Sequence, residues 1–549
     1  MSMPSYATTS TALPQVFNEG ARLGNSLSIV GDSTEETRSH QEIVEFAELR
    51  AGGLAEKGIR PGDRVALFAQ TSFDFMADLL AVWRLGAVGV PLPIPPRFLA
   101  PDAWMDQAVR RISDANAACV LLGAGDPEPL GVRPIWAVDL EDAGAYDGPL
   151  PAGEDVALIQ FSSGSTSQPK GVVLNHRAVL TQIALAEEQR LLAGDGSRLG
   201  WVPLYHDLGL MGFMLPALGS GSTLTMMLTE TFLTDPLRWL QEIANRGVQT
   251  SAAPTFGYAL AARALERTDE MLDLSSWKQA YVGAEPVDLR TTDRFLRAAT
   301  KHGFDERSFI PCYGLAEAGC GVTSCGPQQG LQIDTVDRAA LASGEAKPVP
   351  DDHPGVARFV SSGKPLVDFE VIVVDAADRE LSERSVGEIL VRGSAVMDEY
   401  LLDAEASRAT LAGGWLHTGD RGYLVGGELF VTGRIKDVII VRGQNYYAED
   451  IEQVVLAIPD VRPGGCASIG LAHEGARPLV VIAESDAAGD PVRSADVRDR
   501  IVRRIWSEVG LRTKEVVLLP PRSLPKTSSG KLQRGLAKQM YLDGAWSDQ

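Results

Sequence analysis

Short apolar runs alternate with segments of helical periodicity through most of the chain: Arg64-Val-Ala-Leu-Phe68, Cys119-Val-Leu-Leu122, Val156-Ala-Leu-Ile159, Gly200-Trp-Val-Pro203, Thr223-Leu-Thr-Met-Met227 and Phe369-Glu-Val-Ile-Val-Val374. Runs of that length predict strands, and their interleaving with helices predicts α/β layering, with sheets covered by helices. Pro91-Leu-Pro-Ile-Pro-Pro96 is expected to be a rigid loop inside a domain. Near the C-terminus, Ser494 to Glu508 reads as one amphipathic helix. Ser494 is placed as its cap, Val497, Ile501 and Ile505 form the apolar stripe, and Arg498, Arg500, Arg503 and Arg504 lie elsewhere on its surface. Gly427-Glu-Leu-Phe-Val-Thr432 looks like a hairpin arm, and Gly433-Arg-Ile-Lys-Asp437 after it is the best boundary. The expected organisation is a large N-terminal domain over 1–433 and a small α+β C-terminal domain over 434–549. No repeat or low-complexity tract interrupts it.

The 549 residues exceed what one core supports, which agrees with two domains. A net charge of −21 argues against nucleic-acid binding and against adsorption to anionic membranes. The charge is uneven: Pro491 to Gln549 holds twelve Arg/Lys against six Asp/Glu, a net +6 that would suit an acidic partner. The same arginines equally suit a solvated helix face. The start Met1-Ser-Met-Pro-Ser-Tyr-Ala-Thr-Thr-Ser10 lacks the basic and apolar parts of a secretory signal, and no run reaches the ~18 apolar residues of a membrane span. Five cysteines without a C-x-x-C pair read as reduced thiols, and seven scattered histidines without H-E-x-x-H give no transition-metal site. A cytoplasmic protein is expected, monomeric because no coiled-coil segment appears.

The chemistry concentrates first in Gln160-Phe-Ser-Ser-Gly-Ser-Thr-Ser-Gln-Pro-Lys-Gly171, just after the run 156–159. Glycines let a backbone approach phosphate, hydroxyls and N–H groups donate to its oxygens, and Lys170 adds charge. Lys170 lies between Pro169 and Gly171, so this is no G-x-x-x-x-G-K-[ST] loop and an ordinary P-loop NTPase is disfavoured. By itself the stretch is equally a Ser/Gly surface turn.

It resembles, almost residue for residue, the phosphate-loop signature of the adenylate-forming superfamily, which contains acyl-CoA synthetases, peptide-synthetase adenylation domains and luciferases. Further segments resemble that superfamily's motifs in order along the chain. The resemblance implies ATP and Mg²⁺ as cofactors, with Ser162, Ser163, Gly164, Ser165, Thr166 and Lys170 on the phosphates. Trp201-Val-Pro-Leu-Tyr-His-Asp-Leu-Gly209 implies His206 beside the reacting carboxylate, although a lone histidine is more often a core residue. Tyr281-Val-Gly-Ala-Glu-Pro-Val287 implies Gly283, Ala284 and Glu285 along the adenine. Cys312-Tyr-Gly-Leu-Ala-Glu317 implies Tyr313 and Gly314 at the base and Glu317 on Mg²⁺, which prefers hard oxygen ligands. Trp415-Leu-His-Thr-Gly-Asp420 implies Asp420 accepting from the ribose hydroxyls, which an ionised carboxylate suits. The 433–437 segment implies Arg434 near the ribose and Lys436 as the hinge of a mobile C-terminal domain. Leu524-Pro-Lys-Thr-Ser-Ser-Gly-Lys531 implies Lys531 as the catalytic lysine. Read alone, Thr418-Gly-Asp420 is a routine turn and 524–531 a basic loop.

Within the superfamily, Tyr205-His-Asp-Leu-Gly-Leu210 resembles the Tyr-His-Asp-x-Gly-Leu motif of fatty acyl-AMP ligases rather than the Phe-Asp-x-Ser setting of amino-acid-activating domains. Leu210, Met211, Phe213 and Met214 would suit an acyl chain, and equally a buried helix. Val336–Glu345 and Ala357–Leu366 resemble the region where those ligases carry an insertion. Gly443–Glu452 resembles their Gly-Arg-Asn-His-Tyr-Pro-x-Asp-Ile-Glu, departing from it at Gln444, Tyr446 and Ala448. The implied function is ATP-dependent activation of a fatty acid to acyl-AMP and delivery to an acidic acyl carrier protein, docked near the basic C-terminal helix. An acyl-CoA ligase and a catalytically silent scaffold are the alternatives.

Overall fold

Strands made almost wholly of Val, Ile, Leu and Ala, without alternation, require cover on both faces. Val88–Leu92, Cys119–Leu122 and Gly171–Asn175 are buried along their whole lengths. In the computed structural model, which describes residues 12–94, 101–122, 130–161, 169–191, 196–441, 444–471, 479–526 and 532–546, such strands build two large sheets.

Among the described residues one sheet has nine strands, in the order Lys364–Pro365, Gly321–Ser324, Phe309–Gly314, Gln279–Val282, Thr250–Ala253, Arg198–Gly200, Leu224–Met227, Ser26–Val30, Glu35–Ser39. Its central strands, from 309–314 across to 26–30, run parallel. The other has seven, in the order Glu399–Tyr400, Gly171–Asn175, Val156–Phe161, Val88–Leu92, Arg64–Phe68, Cys119–Leu122, Pro134–Trp136. A four-stranded antiparallel sheet follows (Glu370–Val374, Gly387–Arg392, Leu416–Val425, Glu428–Arg434), and then a three-stranded one (Cys466–Gly470, Leu479–Glu484, Thr513–Leu519). The α/β layering read from the sequence is what these sheets build.

The main core joins the two large sheets, packing Leu27, Leu224 and Met226 of one with Val65, Leu67, Leu158 and Val172 of the other. A second core against the nine-stranded sheet is aromatic. Trp201 stacks on Phe232 at 3.7 Å, and Trp239 meets Trp277 edge-on at 5.2 Å. Such ring pairs add about 0.5–1.5 kcal/mol each beyond their buried area. The C-terminal part has its own core, to which Val497, Ile501, Ile505 and Val509 contribute one face of the helix Pro491–Val509. Among the described residues, no helix is long and apolar enough to cross a membrane.

Three local expectations are corrected. The run at 200–203 is a strand only to Gly200, because Trp201 turns its ring into the aromatic core. Pro91 and Leu92 belong to a strand rather than a loop. Pairing toward Val156–Phe161 is confined to Gly89 opposite Leu158, so the N–H that Pro91 lacks is not needed. The C-terminal helix starts at Pro491 and is capped by Asp490, whose carboxylate accepts from the N–H groups of Val492 and Arg493. Proline fits the first helical turn, which moves the cap upstream. Ser494 is inside the helix, its hydroxyl donating to the Ala487 carbonyl at 2.7 Å.

The arginines of that helix are largely paired at home. Arg500 meets Asp460 and Asp496, Arg503 meets Asp499, and Arg504 meets Glu508. Upstream, the insertion-like region is a hairpin of Ile333–Asp337 with Val356–Val360 that carries the short helix Arg338–Ala342. Arg338 holds both oxygens of Asp450, at 2.7 and 3.0 Å, and so ties this hairpin to the C-terminal part.

Candidate active site

The site residues gather where the parallel strands end. In open α/β sheets ligands bind beyond the carboxyl ends of strands, because loops and unpaired N–H groups converge there. Val282 ends one strand and leads into Gly283, Ala284 and Glu285. Its neighbour 309–314 ends in Tyr313 and Gly314, and Gly200 ends a third that leads to His206. A Cβ on Gly283 would stand 2.7 Å from Cys312 Sγ and 2.9 Å from the Cys312 carbonyl, so only glycine lets these two strand ends lie side by side. Ala284 is held in the left-handed region at φ 67°, a costly conformation for a residue with a Cβ and one that recurs at functional sites. The Glu285 carboxylate reaches across to the start of the helix Thr255–Leu265 and accepts from the Phe256 N–H at 2.9 Å.

At one end of the site a buried carboxylate lies between a half-buried tyrosine and an exposed arginine. Asp420 sits on the strand Leu416–Val425 opposite Arg434 of Glu428–Arg434. Its Oδ2 accepts the Tyr313 hydroxyl at 2.8 Å, and its Oδ1 lies 3.2 Å from Arg434 Nε. Burial pushes the Asp420 carboxyl above its ordinary range, and Arg434 pulls it back. The Tyr313 phenol is pushed well up, by burial first and then by the Asp420 charge. Arg434 is raised, chiefly by Asp420. Three residues that the motifs placed in three separate segments are thus one bonded unit.

The other end is more open. Glu317 follows in the 3-10 turn Ala316–Ala318, and its Oε1 accepts the Tyr400 hydroxyl at 2.8 Å. Lys170, at the start of Gly171–Asn175, sits 4.4 Å above the Tyr400 ring centre and 3.4 Å from Asp403 Oδ2. Tyr400 and Asp403 were not legible as site residues. Tyr400 is brought in by the short edge strand Glu399–Tyr400, which pairs with Val172 and Val173 far away in sequence. No local pattern marks such a pairing.

The remaining expectations divide. His206 is 7% exposed, with Nδ1 2.6 Å from Asp207 Oδ1, at the head of the short helix Asp207–Gly209. Leu210, Met211, Phe213 and Met214 form a π-helical turn and are all buried in the main core, where they pack among apolar side chains. π-turns inside helices recur at functional sites, so the turn is compatible with a wall of an acyl pocket as well as with core packing. Lys436 is exposed on the 3-10 turn Ile435–Asp437. Just before it, Gly433 has φ +140°, and a Cβ there would stand 2.5 Å from Glu449 Oε2. Burial holds the Lys526 ammonium below its ordinary range, and the charges of Glu484 and then Glu285 pull it back up. Ser162, Ser163, Gly164, Ser165, Thr166 and Lys531 lie outside the described residues.

Comparison with known proteins agrees with this geometry. Residues 18–401 match the family of AMP-binding enzymes. The chain is 32% identical to 4-hydroxyphenylalkanoate adenylyltransferase of Mycobacterium tuberculosis, covering 88% of this chain and 83% of that one. It is 31% identical to the medium-chain-fatty-acid–[acyl-carrier-protein] ligase JamA of Moorena producens, covering 99% and 96%. A solved structure from work on fatty acyl-adenylate ligases of E. coli and L. pneumophila superposes with a TM-score of 0.91 at 32% identity, over 100% of both chains.

Proposed function

The chain belongs to the AMP-binding enzyme family and is an adenylate-forming ligase; from that premise we propose that it activates a fatty acid with ATP and passes the acyl group to the phosphopantetheine thiol of an acyl carrier protein. The observation that carries the reading is the bonded unit of Tyr313, Asp420 and Arg434 beside the Lys170–Tyr400–Glu317 cluster. One end offers a buried carboxylate for two ribose hydroxyls and a ring for the base. The other offers a lysine for phosphate and a carboxylate for a divalent cation.

The chemical problem is charge. A carboxylate must attack the α-phosphate of ATP, anion against polyanion, and expel pyrophosphate. Lys170 and, through the motif resemblance, Ser162, Ser163, Gly164, Ser165, Thr166 and Lys531 donate to phosphoryl oxygens as charge spreads onto them. Tyr313, Asp420 and Arg434 hold the nucleoside so that attack is in line. Gly283, Ala284, Glu285 and Gly314 shape the base pocket, and His206 borders the reacting carboxylate. A Mg²⁺ ion, which needs only one or two protein carboxylates when phosphate oxygens complete its shell, fits Glu317. Bound there, it would offset polyphosphate charge.

In this reading the chain divides near residue 433, Lys436 is the pivot of domain rotation, and Leu210, Met211, Phe213 and Met214 wall the acyl pocket. Cytoplasmic location and a monomeric state accompany it. The excess of basic residues after Pro491 would steer an acidic carrier, although home pairing of Arg500, Arg503 and Arg504 leaves less free charge than the sequence count suggests.

The test is product mass spectrometry with ATP, Mg²⁺ and a ladder of fatty acids, with CoA or with a holo carrier protein. Acyl-AMP that persists beside CoA and converts to acyl-carrier supports the reading. Conversion to acyl-CoA makes the protein a CoA ligase.

A further inference from the structure

Lys170 leads into a strand of the seven-stranded sheet, Glu317 follows one of the nine-stranded sheet, and although their charges are opposite they do not pair with each other among the described residues. Lys170 pairs instead with Asp403, and between Lys170 and Glu317 stands Tyr400. The tyrosine is 7% exposed and fixed at its backbone, where its N–H donates to Ser407 Oγ at 2.9 Å and its carbonyl accepts the Ser407 hydroxyl at 3.3 Å. Its ring face carries the Lys170 ammonium at 4.4 Å, a favourable site for a cation. Its hydroxyl donates to one oxygen of Glu317, and among the described residues Oε2 takes no hydrogen bond. The Glu317 backbone is anchored to the same segment, its carbonyl accepting from the Met397 N–H at 2.8 Å.

We infer that Tyr400 is a positioning residue for the adenylation reaction: it holds Lys170 and Glu317 close but apart, so that neither neutralises the other, and orients the carboxylate to leave one oxygen for a divalent cation. The inference rests on the reading of Glu317 as the metal-binding carboxylate. A direct Lys170–Glu317 ion pair would occupy both groups before the nucleotide arrived. An aromatic spacer with a hydroxyl at its tip prevents this, because the ring meets the ammonium by its face while the hydroxyl meets the carboxylate by its edge. Lys170, held otherwise among the described residues only by the half-exposed Asp403 pair at 3.4 Å, then remains exchangeable toward phosphate and Glu317 toward the metal, on opposite sides of one side chain. The hydrogen bond also defines which carboxylate oxygen faces the metal, as groups behind a metal ligand commonly do.

Two substitutions separate the ring from the hydroxyl. Tyr400→Phe keeps the ring and loses the donor. It is expected to raise the Mg²⁺ concentration for half-maximal ATP–pyrophosphate exchange roughly tenfold, the effect of a hydrogen bond to a charged group, with the KM for ATP at saturating Mg²⁺ changed less than about threefold. Tyr400→Leu removes both, lets Lys170 approach Glu317, and is expected to raise both quantities. Mn²⁺ binding followed by electron paramagnetic resonance, with α,β-methylene-ATP as the nucleotide, reads the metal step without turnover and should weaken in parallel. Ser407→Ala, which loosens the Tyr400 backbone, should give a smaller shift of the same sign and serves if Tyr400→Phe folds poorly.

A merely structural tyrosine would lower the melting temperature and leave the Mg²⁺ dependence and the Mn²⁺ affinity unchanged. That result overturns the inference. Glu317→Gln distinguishes the two levels. If it does not alter metal dependence, the Glu317 reading fails. If it does and Tyr400→Phe does not, only the role of Tyr400 falls.

Discussion

The two ends of the site are built on different terms. At the end proposed for the nucleoside, the Asp420 carboxylate is buried with both oxygens engaged, by the Tyr313 hydroxyl and by Arg434, whose own side chain is half exposed. At the end proposed for phosphate, no carboxylate among the described residues is buried between partners: the side chains of Lys170 and Asp403 are 37% and 43% exposed, and their contact is loose at 3.4 Å. A nucleoside carries the same groups before and after adenylation, so a rigid, presatisfied pocket costs nothing during the reaction. Phosphate charge is redistributed and pyrophosphate must leave. Cations there must be near and yet not committed, which a half-exposed ion pair worth about 0–1 kcal/mol and a cation over a ring provide. On the proposed function, the buried and fully engaged carboxylate stands where the ligand is constant, and the exchangeable contacts where it changes.

Substitutions at each end should therefore fail in different ways. The largest effect is expected for Asp420→Ala, which removes the acceptor and leaves the Tyr313 hydroxyl and Arg434 without it. We expect kcat/KM for ATP to fall roughly 100-fold or more, together with a lower melting temperature, since a buried network is broken. Lys170→Ala should reduce the adenylation rate roughly 10- to 100-fold with almost no loss of stability, because its Asp403 partner is exposed. Equal melting losses for these two variants would erase the distinction between the ends. Tyr313→Phe keeps the ring and removes one hydrogen bond, so the KM for ATP should rise roughly three- to tenfold, read by steady-state kinetics at saturating fatty acid.

The smallest functional effect is expected for a substitution outside both ends. His176 is buried, neither ring nitrogen has a hydrogen-bond partner among the described residues, and burial lowers its pKa to about 4. A histidine held neutral in the fold contributes stability that is fully present above its unfolded pKa of about 6.5 and is lost as pH falls toward 4. This single group should account for up to about 3 kcal/mol of acid destabilisation. His176→Phe should flatten the melting temperature over pH 6.5 to 4 while leaving exchange activity at pH 7.5 within about twofold. An unchanged pH profile would show that His176 is already charged or hydrated in the fold.

Most residues of the end proposed for the nucleoside were legible as candidates because each lies in a short motif on or beside a strand. The motifs at 281–287, 312–317 and 415–420 named Gly283, Tyr313 and Asp420, and the neighbouring strands 279–282 and 309–314 bring the first two to one edge of the nine-stranded sheet. The hydrogen bond between Tyr313 and Asp420 was not legible. It depends on the four-stranded sheet lying against the carboxyl end of 309–314, a tertiary fact with no local signature. Tyr400 escaped for a similar reason: the strand that presents it is short and pairs with residues more than two hundred positions earlier. Ser494 was misplaced as a cap because Asp490 and Pro491 start the helix earlier than the apolar stripe does. The turn at 210–214 was recognised as apolar, but buried core and acyl wall use the same side chains.

The most direct measurement is fatty-acid-dependent exchange of labelled pyrophosphate into ATP by the wild-type protein, across a ladder of chain lengths and with Mg²⁺ present. Exchange should appear with a defined optimum in chain length and should fall roughly 100-fold or more in Asp420→Ala. If no fatty acid supports exchange while the protein is folded and binds ATP, the site does not form a fatty acyl adenylate.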